Sequence, residues 1–177
     1  MAAGDVLVSD GNDIVSRRPP YTLAFSQADD VSFNNTATAT SILDGGAQSL
    51  PAVLKGDIIE VKGSGTFGTT SGANTLTFTF TFNGVTETIT SAALIPSQSD
   101  QDYNYTVRLT PRGSVNNVGV YIESEVNFNG AKIFNSLHFA NSFNALSPTV
   151  NVTAKFNTAA VNNAVSARMN TIEIKRK

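Results

Sequence analysis

Thr75-Leu76-Thr77-Phe78-Thr79-Phe80-Thr81-Phe82-Asn83-Gly84 decides the fold class. Successive side chains of a strand point to opposite faces. Leu76, Phe78, Phe80 and Phe82 therefore form one apolar face, and four threonines form the other. Asn83-Gly84 follows at once, the pair that suits a type I′ turn because both central residues need a positive φ. Val85 to Thr90 is then the returning strand. The segment reads as a β-hairpin with one buried face and one wet or interfacial face.

The same logic recurs along the chain. Val118, Val120, Ile122, Val126 and Phe128 share one parity, with Ser124 as a polar interruption. Asn129-Gly130 then turns into Ala131-Lys132-Ile133-Phe134. Ile59 and Val61 alternate, and Gly63 and Gly65 are expected to loosen their ladder. Tyr103, Tyr105, Val107 and Leu109 alternate up to Pro111. Val150, Val152, Ala154 and Phe156 form another strand, and Ile172 and Ile174 close the chain. No segment holds a helical period, and the Asn-rich stretch Ala159 to Ala167 reads as a loop. Roughly eight to ten strands result, the pattern of an all-β antiparallel sandwich or barrel. The expected core is Leu76, Phe78, Phe80, Phe82, Val107, Leu109, Val120, Ile122, Val152 and Phe156.

The β-sandwich is assigned to residues 36–177, and residues 1–35 to an extended N-terminal arm. Arg17-Arg18-Pro19-Pro20 cannot lie in a central strand, because two prolines remove two ladder donors. Short strands are expected at Asp5 to Val8 and Tyr21 to Phe25. The arm carries Val6, Leu7, Val8, Ile14, Val15, Tyr21, Leu23 and Phe25, so it needs a surface to lie on. That surface is its own sandwich, a neighbouring copy or another protein. Arg17, Arg18, Pro19, Pro20 and Tyr21 are the candidate docking residues: proline pre-sets the backbone, and arginine grips carboxylates with two hydrogen bonds.

Composition narrows the chemistry. Of 177 residues, 15% are charged, against roughly 25% in an average globular chain. Thr, Asn and Ser fill the gap, at about a third of the chain. With no cysteine there is no disulfide or thiolate site, and with one histidine no multi-histidine metal site. A net charge of −2 gives no basic patch for nucleic acid. Nothing approaches the ~18 apolar residues of a membrane helix, and Met1 to Asp10 lacks the features of a secretory signal. Synthesis in a cytosol is expected.

Each catalytic motif has a simpler reading. His138 has no Gly-x-Ser-x-Gly elbow to serve. Glu123 and Glu125 project from one strand face at a separation a glycosidase could use, yet that face is opposite the core parity and suits a solvated or subunit-facing pair. Asp100 and Asp102 read as part of a polar loop. Asp10-Gly11-Asn12-Asp13 and Asp29-Asp30 lack EF-hand spacing and read as turns. Gly63, Gly65, Gly68 and Gly72 lack the Lys-Ser/Thr of a phosphate loop and read as a twisted strand and a long turn. Lys175-Arg176-Lys177 reads as a basic end facing solvent or an acidic partner. No catalytic, cofactor or metal residue is assigned, and no enzyme activity is expected.

Leu54-Lys55-Gly56-Asp57-Ile58-Ile59-Glu60-Val61-Lys62-Gly63-Ser64-Gly65-Thr66-Phe67-Gly68-Thr69-Thr70, followed by Asn74 to Phe78, resembles a jelly-roll-like β-sandwich module of tailed-bacteriophage virion proteins. Val150 to Phe156 and Asn170 to Ile174 look like its last two strands. The resemblance covers about Ser49 to Lys177, and the arm has no counterpart in it. It implies a non-enzymatic virion component: a capsid decoration (cement) or head-fibre protein that forms a homotrimer; the arm is then expected to dock it on the major capsid protein or another virion protein. The alternative is a tail-fibre or tail-appendage domain binding host carbohydrate. With no tryptophan present, Tyr103, Tyr105 and Tyr121 are its expected sugar platforms.

Overall fold

The computed structural model describes residues 6–9, 14–17, 21–70, 74–83, 85–160 and 163–177. Fourteen strands and no helix occur among them: β1 (Val6–Ser9), β2 (Ile14–Arg17), β3 (Tyr21–Ser26), β4 (Val31–Asn34), β5 (Thr40–Ser41), β6 (Gln48–Ser49), β7 (Ile58–Thr69), β8 (Leu76–Phe82), β9 (Val85–Thr90), β10 (Gln98–Pro111), β11 (Val118–Phe128), β12 (Ala131–Phe143), β13 (Thr149–Phe156) and β14 (Ala164–Lys175). A seven-stranded sheet has the order β12-β11-β10-β7-β14-β3, with β4 also on β14. A five-stranded sheet has the order β5-β13-β8-β9, with β6 also on β13. β1 and β2 pair with each other. All pairings are antiparallel.

The chain crosses between the large sheets at β4–β5, β6–β7, β7–β8, β9–β10, β12–β13 and β13–β14. The inner faces meet over the expected core. Leu76, Phe78, Phe80, Phe82, Val107, Leu109, Val120, Ile122 and Val152 are fully buried, and Phe156 is 1% exposed. Aromatic rings bridge the sheets, with Phe78 4.8 Å from Tyr103 and Phe80 5.1 Å edge-on to Tyr105. Asn129 and Gly130 have φ of 47° and 92°, as a type I′ turn requires. Asn83 has φ 43°, and Gly84 lies outside the described residues.

Several readings change. β7 runs through Gly63 and Gly65 and pairs regularly with β10 at both, while its ladder with β14 shifts register beside Gly65, between Ala167 and Met169. The two glycines also make room. A Cβ on Gly63 would lie 2.4 Å from the Tyr105 ring and 2.0 Å from Asn170 Oδ1, and one on Gly65 would lie 2.7 Å from the Tyr103 hydroxyl. Gly68 is in the same strand, and Gly72 lies outside the described residues. Asp100 and Asp102 sit in β10, where a bulge between Gln98 and Gln101 hides the alternation. β14 starts at Ala164, inside the expected loop. β3 and β4, from the stretch read as arm, form the sheet edge on β14, so this part lies on its own sandwich.

Candidate functional site

The two outer faces differ in chemistry. On the five-stranded sheet, Thr77, Thr79 and Thr81 of β8 stand opposite Thr90, Thr88 and Thr86 of β9. On the other side they face Lys155, Thr153 and Asn151 of β13. Ser41 extends the row beyond Thr153 and hydrogen-bonds Asn151 at 2.8 Å. Thr77 and Thr90 hydroxyls are 2.9 Å apart. The hydroxyls arise from the same alternation that buries the phenylalanines, and Lys155 is the one ionised side chain in these rows.

The outer face of the seven-stranded sheet is charged and aromatic. Glu60 on β7 is 1% exposed, lying beneath the stems of three cations. Lys62 Nζ reaches its carboxylate at 2.5 Å, Lys175 Nζ at 2.6 Å and Arg108 Nε at 2.7 Å. Burial alone would raise this carboxyl; hydrogen bonds from Lys175, Lys62 and Arg108 outweigh it and hold the pKa down at about 2. On β11, Glu123 is exposed and Glu125 half-buried, with Lys132 Nζ 2.8 Å from Glu125. Phe134, on β12 opposite Glu125, is 68% exposed. Tyr121 carries the Arg112 guanidinium at 4.5 Å and the His138 ring at 4.9 Å. Arg108, Glu123, Glu125, Phe134, Asn135, Ser136 and Thr106 line a groove of about 510 Å³ here.

The expected docking residues are placed in part. Arg17 ends β2 opposite Val6, while Arg18, Pro19 and Pro20 lie outside the described residues. Tyr21 opens β3 opposite Lys175 and is 61% exposed. Asp10-Gly11-Asn12-Asp13 also lies outside the described residues; Asp29 and Asp30 are exposed. No group of three or more His, Asp or Glu among the described residues could hold a metal ion.

Two expectations are corrected. Tyr103 and Tyr105 are not sugar platforms: they are 1% and 2% exposed. Burial pushes both phenols well above their ordinary pKa, and Tyr105 donates to Asn170 at 2.5 Å. The basic C-terminus does not simply face solvent. Lys175 holds Glu60, and Arg176 Nη1 holds buried Asp57 at 2.7 Å, with the Lys177 backbone N–H on the same carboxylate. Ser124 is, as expected, the polar interruption on the buried parity of β11. Its hydroxyl donates at 2.6 Å to Glu87, a carboxylate 1% exposed inside the sandwich, whose Oε2 has no hydrogen-bond partner among the described residues. The alternation places Phe134 on the outer face, but the Tyr-centred reading passed over it.

No protein-family model matches the chain. No curated protein matches it in sequence. Among solved structures, it is similar to the VP2 subviral particle of infectious bursal disease virus at 12% identity and TM-score 0.38, covering 97% of this chain and 46% of that one. The Gt strain of the same virus gives 14% identity and TM-score 0.34, over 97% and 37%. A proposed glycosyl hydrolase of Parabacteroides distasonis ATCC 8503 gives 11% identity and TM-score 0.35, over 99% and 84%. The chain thus spans less than half the length of the two viral chains. At these TM-scores the likenesses carry no argument about what this protein does.

Proposed function

We propose that this protein is a non-enzymatic structural component of a bacteriophage virion: a capsid decoration or head-fibre protein that assembles as a trimer. The observation that carries the reading is the hydroxyl face of the five-stranded sheet. Thr79, Thr81, Thr86, Thr88, Thr153, Asn151 and Ser41 lie in registered rows with one lysine among them. Such a face can hydrogen-bond to its own copy without like-charge repulsion, as a crowded symmetric shell requires. The sequence resemblance supports the virion setting.

The arm is the docking element to the major capsid protein or another virion protein. β1 and β2 form a sheet of their own. A lone two-stranded hairpin is marginal in water, so a partner surface would complete it. Hydrolysis is not part of the reading: Glu123 and Glu125 stand side by side on one strand, and Lys132 engages Glu125.

Removal of Met1 to Pro20 tests the arm. The cut falls before β3, so it spares every strand of both large sheets. The shortened protein is expected to fold, to remain a trimer and to stop adding to particles that lack it. Full occupancy by the shortened protein would place attachment on the sandwich.

A further inference from the structure

The groove on the outer face of β10–β12 has the chemistry of a sugar site. We propose that it binds a neutral saccharide, with Phe134 as the stacking platform and Glu123, Arg108 and Ser136 as hydrogen-bonding partners of the hydroxyls. This is a ligand-binding activity beyond the virion role, and it does not rest on that role. Register fixes the floor. Thr106, Glu125 and Phe134 form one cross-strand row; Arg108, Glu123 and Ser136 form the next; Thr110, Tyr121 and His138 form a third. Strands lie about 4.8 Å apart, and rows on one face about 6.7 Å apart. Two rows over three strands therefore present a floor of roughly 10 by 7 Å, the scale of a sugar ring with its hydroxyls.

A pyranose has an apolar C–H face and a rim of hydroxyls that donate and accept. The groove supplies a flat apolar ring for the face, 68% exposed on an otherwise polar surface. Around the ring stand donors on Arg108, Ser136 and Thr106 and acceptors on Glu123 and Glu125. Two of these side chains are held before any ligand arrives: Arg108 by Glu60 at 2.7 Å and Glu125 by Lys132 at 2.8 Å. Prior ordering lowers the entropy lost on binding. The charges of Arg108 and Lys132 balance those of Glu123 and Glu125, which favours an uncharged ligand over a phosphate or an acidic glycan. Tyr121 and His138, stacked with Arg112, occupy the next row on the same face. Both carboxylates rise from the same strand face, so binding without cleavage is expected.

Affinity electrophoresis of the full-length protein in native gels containing dextran, galactomannan or a mixed-linkage β-glucan tests this. At least one polysaccharide should retard the protein. Phe134→Ala should weaken that retardation by about tenfold, Glu123→Gln should weaken it too, and Phe134→Tyr should keep it. Ile95→Ala, which removes an equally exposed apolar group elsewhere, should leave it unchanged. Thermal melting should match between Phe134→Ala and the parent, since the ring is exposed. The proposal is overturned if none of the three polysaccharides retards the protein, or if Phe134→Ala binds as well as the parent. It is also overturned if Phe134→Ala dissociates an oligomer in light scattering, because the ring then belongs to a contact between copies.

Discussion

Gly63 and Tyr105 are paired across β7 and β10, and the absent Cβ is what lets the phenol reach Asn170. Asn170 in turn donates to Gln27 at 2.6 Å and to the Ile42 carbonyl at 2.8 Å, so one glycine underwrites a buried polar network. Gly63→Ala should therefore displace the ring and cost at least about 2 kcal/mol, as overpacking combined with a broken buried hydrogen bond. Urea titration checks this, and a loss below about 0.5 kcal/mol would mean the network tolerates the shift. The sequence displayed the glycine but not the tyrosine above it, because registry between β7 and β10 is a long-range fact. Glu60 gives a pH signature. Its folded pKa of about 2 lies below the ordinary 4.5. A depressed carboxylate stabilises the fold above the unfolded value, and that stabilisation is lost as pH falls from about 4.5 through 2. Screening around its half-exposed cations limits the effect to on the order of 1–2 kcal/mol. Glu60→Gln should flatten the acid limb of a stability-against-pH curve, and an unchanged limb would assign the acid loss to other carboxylates. Glu87 and Ser124 make a further pair. Ser124→Ala alone should cost about 1–3 kcal/mol, whereas Glu87→Met with Ser124→Ala should cost less than that or stabilise, since no buried polar group is then left unpaired. Melting curves of the two proteins decide it.

Elements were legible where each strand has one wet face and one dry face. β8 is the clearest case, and its parity correctly located the core. Phe80 is fully buried between β13 and β9, so Phe80→Ala should cost about 3–5 kcal/mol in denaturant titration. A loss under about 1 kcal/mol would contradict the packing. Strand ends were less legible. The bulge near Gln98 shifts parity within β10, and β14 opens on small residues, Ala164 to Ala167, that carry little periodic signal. The C-terminal latch was invisible for another reason: a basic run looks solvated until its partners Asp57 and Glu60 are brought beside it. Arg176→Ala should cost about 2–3 kcal/mol, because Asp57 stays buried with one charged partner fewer. The groove was half legible. Parity put Glu123 and Glu125 on an outward face, but only the β11–β12 register sets Phe134 beside them.

At the scale of the whole molecule, the sandwich separates three surfaces. One sheet offers rows of uncharged hydroxyls, the other a charged and aromatic groove, and β1 and β2 pair outside both sheets. Thr79→Arg with Thr88→Arg should convert a trimer to monomers in light scattering without changing the fold, as both side chains point away from the core. Persistence of the trimer would move the contact to another face. The central claim, a structural role in a particle, is tested most directly by quantifying this chain in purified virions on a calibrated gel. The account predicts a fixed, high copy number in multiples of three. Absence of the chain from purified particles would contradict it.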